Sequence, residues 1–131
     1  MKLESPKLGI EENATLELIQ KVLSSLKEEE GSFAILSESK MSYIQALMTK
    51  NGFIVQFQDE SLDRHYEFDN YLSRSQTIVL FQKYLNKSPN WSGLLKYKSK
   101  NIRGFRGYLG LIVGRFVGGF IRGINETKRK T

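Results

Sequence analysis

Residues 42–49 and 53–58 alternate in character and flank the dipeptide Asn51-Gly52. This limits the fold more than any other stretch. A type I′ hairpin turn needs positive φ at both central residues, and Asn and Gly tolerate it. A two-residue loop there pairs Lys50 with Phe53, Met48 with Val55 and Ala46 with Phe57. Strand side chains point alternately to opposite faces. One face then carries Ala46, Met48, Phe53, Val55 and Phe57, and the other Gln45, Leu47, Thr49, Ile54, Gln56 and Gln58. The first face is the more apolar, so it is expected to turn toward the core.

Upstream, Ile10, Ala14, Leu18, Ile19, Val22, Leu23 and Leu26 recur at helical spacing. They predict a helix over about 14–29, with Asn13 as N-cap and Gly31 as stop. Residues 1–9, with Pro6 and Gly9, read as a lead-in. Residues 32–37 read as a strand, and 64–68 as another beyond the turn Asp59-Glu60-Ser61-Leu62-Asp63. Ser73 and Gln76 have the spacing of a capping box, which predicts a helix over about 74–86, stopped before Pro89. Residues 91–98 read as a last strand, with Leu95 and Tyr97 alternating against Lys96 and Lys98. The expectation is a single α+β domain over 1–131, with its main body at 10–100. An antiparallel sheet of four to five strands would carry an N-terminal helix and the 74–86 helix, followed by a glycine-rich amphipathic C-terminal helix.

That final segment, residues 101–131, holds seven basic residues, one acid and seven of the eleven glycines. On a helix over 108–124, Leu109, Ile112, Val113, Phe116, Val117, Phe120 and Ile124 fall in one arc, with Arg115 and Arg122 opposite. Gly110, Gly114 and Gly118 line one flank. Glycine inside a helix costs about 0.8–1 kcal/mol, so a closely approaching neighbour is expected to compensate. That neighbour would be this protein's own core, a second copy or a partner protein. An anionic membrane surface is the remaining alternative, with the apolar face down. Arg115 near the middle argues against a span.

The chemistry-bearing residues are few. The chain has one histidine and no cysteine, which removes disulfides, thiol catalysis and Cys-ligated metals. His65 lies among Asp59, Glu60, Asp63, Glu67 and Asp69, a set that suits a solvated acidic turn better than a metal site. No phosphate-cradling glycine loop occurs in strand–loop–helix context. No enzyme, cofactor or metal is expected. No signal-peptide core follows Met1, and the expected location is cytoplasmic, or membrane-peripheral if the C-terminal helix lies on lipid. Charge is split: residues 1–70 carry a net of −6 and residues 71–131 a net of +12. Such a split suits binding. The preferred reading is a non-catalytic protein-binding module whose acidic turn, Asp59, Glu60 and Asp63 with His65, meets a basic partner. The alternative is a nucleic-acid or anionic-membrane contact through the basic half, with binding that falls steeply with salt.

Residues 52–97 resemble small bacterial immunity proteins of polymorphic toxin systems, notably the Imm1-type group. The layout in common is strand 53–57, strand 64–68, the Ser73-x-x-Gln76 cap, Phe81-x-x-Tyr84-Leu85, Pro89 and Trp91. Lys87-Ser88 stands where the group usually has a glycine, and Ser92 where it has an acid. The resemblance implies an α+β fold and a toxin as partner protein.

If Gly114 faces another backbone, Gly114→Leu overpacks the contact and lowers stability by about 1–3 kcal/mol. Denaturant titration checks this. A gain in stability would mean that the flank is exposed, because Leu is the better helix former.

Overall fold

The structure, a computed structural model, describes residues 1–28 and 32–100. They belong to Met1–Lys100, the first of two compact units of the chain; the second is Asn101–Thr131. The expected glycine-rich helix, with Gly110, Gly114, Gly118, Arg115, Arg122, Phe116 and Phe120, lies outside the described residues. The fold is α+β. Its antiparallel sheet has seven strands: β1 (Lys2–Ser5), β2 (Gly9–Glu11), β3 (Phe33–Ser39), β4 (Ser42–Thr49), β5 (Gly52–Asp59), β6 (His65–Phe68) and β7 (Tyr97–Ser99). Their order is β2-β1-β3-β4-β5-β6-β7. Helices α1 (Leu16–Ser25) and α2 (Arg74–Leu85) complete it.

The sheet is wider than the four to five strands expected. The lead-in supplies β1 and the first residue of β2. Leu3 is fully buried and pairs with Leu36, and Gly9, at φ +82°, helps turn the chain back into β2. α1 is shorter than the 14–29 span and is capped by Thr15, not Asn13. The Ala14 N–H donates to the Met1 carbonyl (2.8 Å) and the Asn13 N–H to the Glu11 carboxylate (3.0 Å). Those residues are tied to the chain before the helix, and the Leu18 amide of the first turn donates to the Thr15 hydroxyl (3.1 Å). The Ser73–Gln76 capping box forms as its spacing requires. Residues 91–98 do not make one strand. Asn90 is left-handed (φ +54°), Trp91–Leu94 form a 3-10 turn, and only Tyr97–Ser99 pair with β6.

The β4–β5 hairpin forms with a two-residue loop, but the loop is Lys50-Asn51 rather than Asn51-Gly52, which shifts the pairing by two: Thr49 pairs with Gly52, Met48 with Phe53 and Ala46 with Val55. Of Asn51 and Gly52, only Gly52 takes positive φ (+123°). The Thr49 hydroxyl holds the loop in this position, since it accepts from the Asn51 N–H (3.1 Å) and donates to the Gly52 carbonyl (2.7 Å). A shift of two leaves every side chain on its expected face. Ala46, Phe53, Val55 and Phe57 join Leu3, Ala34, Leu36, Ile44 and Phe68 under Ile19, Val22 and Leu23 of α1 and Leu80, Phe81 and Tyr84 of α2. Arg74 ties the layers together, donating to the Leu23 carbonyl while its guanidinium lies 5.5 Å from the Phe53 ring centroid.

Gly52 also abuts the chain entering α2. A Cβ there would stand 2.9 Å from the Leu72 carbonyl oxygen and 3.3 Å from the Tyr71 Cβ, and that same carbonyl accepts the Phe53 N–H. Gly52→Ala combines this clash with an unfavourable φ and is expected to lower stability by roughly 1–3 kcal/mol. Denaturant unfolding of the pair of proteins checks it. An unchanged midpoint would mean that the β5–Leu72 bridge yields freely.

Candidate functional site

The ends of β3 and β5, the start of β4, the far end of α2 and the turn after it converge on an open cup of about 270 Å³. Five aromatic residues line it: Phe57, Tyr66, Tyr84, Trp91 and Tyr97. Around Phe57 stand Trp91 (centroids 4.9 Å, 70° between planes), Tyr97 (5.0 Å, 81°) and Tyr66 (5.0 Å, 30°), and Trp91 also meets Tyr84 edge to face (5.0 Å, 77°). Such edge-to-face pairs are favourable beyond the area they bury. The rings fix one another while leaving accessible surface: Tyr97 is 40% exposed, and Trp91 and Tyr66 are half-buried.

Charged side chains border the cup. Glu38 pairs with Lys87 (3.2 Å), and Asp59 pairs with Arg64. All four are well exposed, so each pair contributes only about 0–1 kcal/mol and exchanges partners readily. Burial pushes the Tyr84 phenol above its ordinary range, the Glu38 and Asp59 carboxylates push it further, and a hydrogen bond with the Glu38 backbone opposes them. Among the described residues, the non-glycine ones with positive φ, Glu60 (+70°), Lys87 (+53°) and Asn90 (+54°), all flank this cup. Glu60 follows Asp59, Lys87 carries the partner of Glu38, and Asn90 aims Trp91. Left-handed backbone costs an ordinary residue about 1–2 kcal/mol. Lys87 takes it as the αL residue that closes α2, where the Ser88 N–H donates to the Lys83 carbonyl (3.0 Å) and the Lys87 N–H to that of Tyr84 (3.0 Å).

The sheet face opposite the helices holds a second arrangement. Tyr43, Gln45, Gln56, Gln58 and His65 are each no more than 2% exposed there. Cross-strand pairing aligns them in two rows. One runs Lys2–Ser37–Tyr43–Gln58–His65, and the other Glu4–Ile35–Gln45–Gln56–Glu67–Lys98. Tyr43 Oη donates to Gln58 Oε1 (3.2 Å), Gln45 Nε2 to Gln56 Oε1 (2.9 Å) and Gln56 Nε2 to Glu67 Oε1 (2.7 Å). Gln45 Oε1 and Glu4 Oε2 are buried with no hydrogen-bond partner among the described residues. Burial raises the Glu4 carboxyl, and nearby Lys2 opposes the rise.

His65 sits between two amide oxygens. Glu67 orients Gln56, and the Met41 carbonyl, accepting from Gln58 Nε2 (3.1 Å), orients Gln58. Both amides therefore turn oxygen toward the ring, at 3.0 Å from Nε2 and 3.1 Å from Nδ1. A neutral imidazole has one N–H and satisfies one of them. An imidazolium would satisfy both, but burial and, after it, the Lys100 ammonium hold the ring down at about 4. In a ring this buried, desolvation outweighs the gain of a second neutral hydrogen bond.

Of the residues expected to meet a partner, Asp59 lines the cup, Glu60 and Asp63 are exposed in the adjoining turn, and His65 faces the buried side of the sheet. His65 thus shares no surface with the acids. The five cup aromatics and Glu38 were not legible as a set. The available signal was density, since nine of the fifteen aromatic residues fall between Phe53 and Tyr97. Among the described residues no group of three or more His, Asp or Glu side chains is placed to hold a metal, and no helix is long and apolar enough to cross a membrane. No family model matches the chain, and neither the curated proteins nor the solved structures contain a match.

The His65 ring makes stability depend on pH. Its folded value is below the unfolded value of about 6.5, so its contribution is complete above pH 6.5. As pH falls from 6.5 toward 4, the unfolded chain binds a proton that the folded ring refuses, and roughly 3 kcal/mol is lost. NMR of this single histidine is expected to give a midpoint near 4. A midpoint at or above 6.5 would show that the two amide oxygens hold the proton instead.

Proposed function

We propose that this protein is a non-catalytic protein-binding module, and that it serves as an immunity protein which neutralises a toxin by covering it. One observation carries the reading: the open cup built from Phe57, Tyr66, Tyr84, Trp91 and Tyr97 lies against the turn that displays Asp59, Glu60 and Asp63. Binding energy concentrates where rigid aromatic side chains form a pocket within a polar rim. Rings that already pack edge to face lose little freedom when a partner covers them. The acidic turn adds attraction and orientation for a basic surface. The charge split of the sequence and the resemblance of residues 52–97 to immunity proteins point the same way.

The reading is tested by co-producing the full chain with a toxin encoded beside it and measuring cell survival and complex formation. Protection and a stable complex are expected. Truncating a central anchor typically costs at least about 2 kcal/mol, or about thirtyfold in affinity, so Tyr97→Ala is expected to weaken the complex by that order. Tyr97 is half-exposed on the last strand, and circular dichroism would verify that the variant stays folded. A protein that protects against no such toxin, or a folded Tyr97→Ala variant that binds as tightly as the parent, would sink this reading.

A further inference from the structure

We propose that the aromatic cup is a receptor for one arginine side chain of a basic partner protein, an inference that rests on the binding-module reading and gives its site a ligand. The rings come first. Five aromatic side chains border one open volume of about 270 Å³. The face of an aromatic ring carries the negative lobe of its quadrupole, so a ring that turns its face to the opening attracts a cation.

The rim selects in the same direction. Glu38 and Asp59 come from β3 and β5 and border the same opening. Both carboxylates act on the Tyr84 phenol, which lines the same cup. The cations beside them are already engaged, Arg64 with Asp59 and Lys87 with Glu38. Those pairs are solvent-exposed and weak, so an entering guanidinium displaces them at little cost. An anion would meet the rings and two carboxylates, while Arg64 of the lining and the neighbouring Lys87 are held by those same carboxylates.

Guanidinium fits this combination better than ammonium. It is planar and weakly hydrated, stacks on ring faces, and presents a fork of N–H donors to a carboxylate. An ammonium keeps a tighter hydration shell, which it would have to shed among the rings. The aliphatic stem of an arginine covers the remaining apolar wall. Within the cup the side chain would lie against Trp91 and Tyr97 and direct its fork to Glu38 or Asp59.

Trp91 is the only tryptophan of the chain and borders the cup, so its emission reports occupancy directly. The full chain is titrated at constant ionic strength with N-acetyl-arginine methylamide, the matching lysine compound and the neutral norleucine compound. A saturable change with the arginine probe is expected, about fivefold or more tighter than with norleucine and also tighter than with lysine. Glu38→Gln is expected to weaken the arginine probe about threefold, as loss of an exposed charge does. Non-saturating quenching, equal response to norleucine, or lysine binding as tightly as arginine would each overturn the proposal. The partner assay run on the same protein separates the two readings. A protein that binds its toxin while its cup ignores arginine remains a binding module and loses the arginine site.

Discussion

The pairing of β4 with β5 is the interaction on which the rest of the structure depends. Eight residue pairs, from Ser42 with Asp59 to Thr49 with Gly52, hold the middle of the sheet. They decide which side chains meet α1 and α2 and which meet the opposite side. A slip by one residue would exchange the faces and carry Gln45, Gln56 and Gln58 into the helix-packed core. A slip by two is harmless in that respect, which is why closing the hairpin at Lys50-Asn51 preserves the pattern. The Gly52 backbone then fixes the hairpin to the start of α2 through the paired Phe53 and Leu72.

The same alternation places a polar set on the second face. Tyr43, Gln45, Gln56, Gln58 and His65 are buried there, and burial makes their hydrogen bonds both strong and obligatory. The network is not fully closed. Among the described residues Gln45 Oε1 and Glu4 Oε2 lack partners, and the neutral His65 ring meets one amide oxygen too many. Each unsatisfied polar group costs about 1–3 kcal/mol. Replacing such a network with aliphatic side chains would remove those costs.

Where β3 and β5 end, the alternation gives way to local backbone constraint. Lys87 and Asn90 adopt left-handed conformations on either side of Pro89, and that path brings Trp91 against Phe57 and Tyr84. Strain at these positions is tolerated because the Lys83 and Tyr84 carbonyls and the aromatic contacts over-determine the turn. The cup is thus a product of how α2 is closed as much as of which aromatic residues the chain contains.

Sequence by itself determined the local decisions. Alternation set the two faces of β4 and β5, since side-chain direction has a period of two. Ser73 and Gln76 set the start of α2, because both halves of a capping box lie within one turn. Neighbours in space decided the remainder. The Met1 carbonyl delays α1 until Thr15, and Leu36 recruits the lead-in as a strand. His65, expected beside the acids of its own turn, is drawn to Gln56 and Gln58 on the other side of the sheet. The cup assembles Glu38, Phe57, Tyr84 and Tyr97 from four separate elements. Spacing along a chain encodes what lies within a few residues. A pocket made from distant elements exists only once the sheet pairing and the α2 closure have fixed their approach.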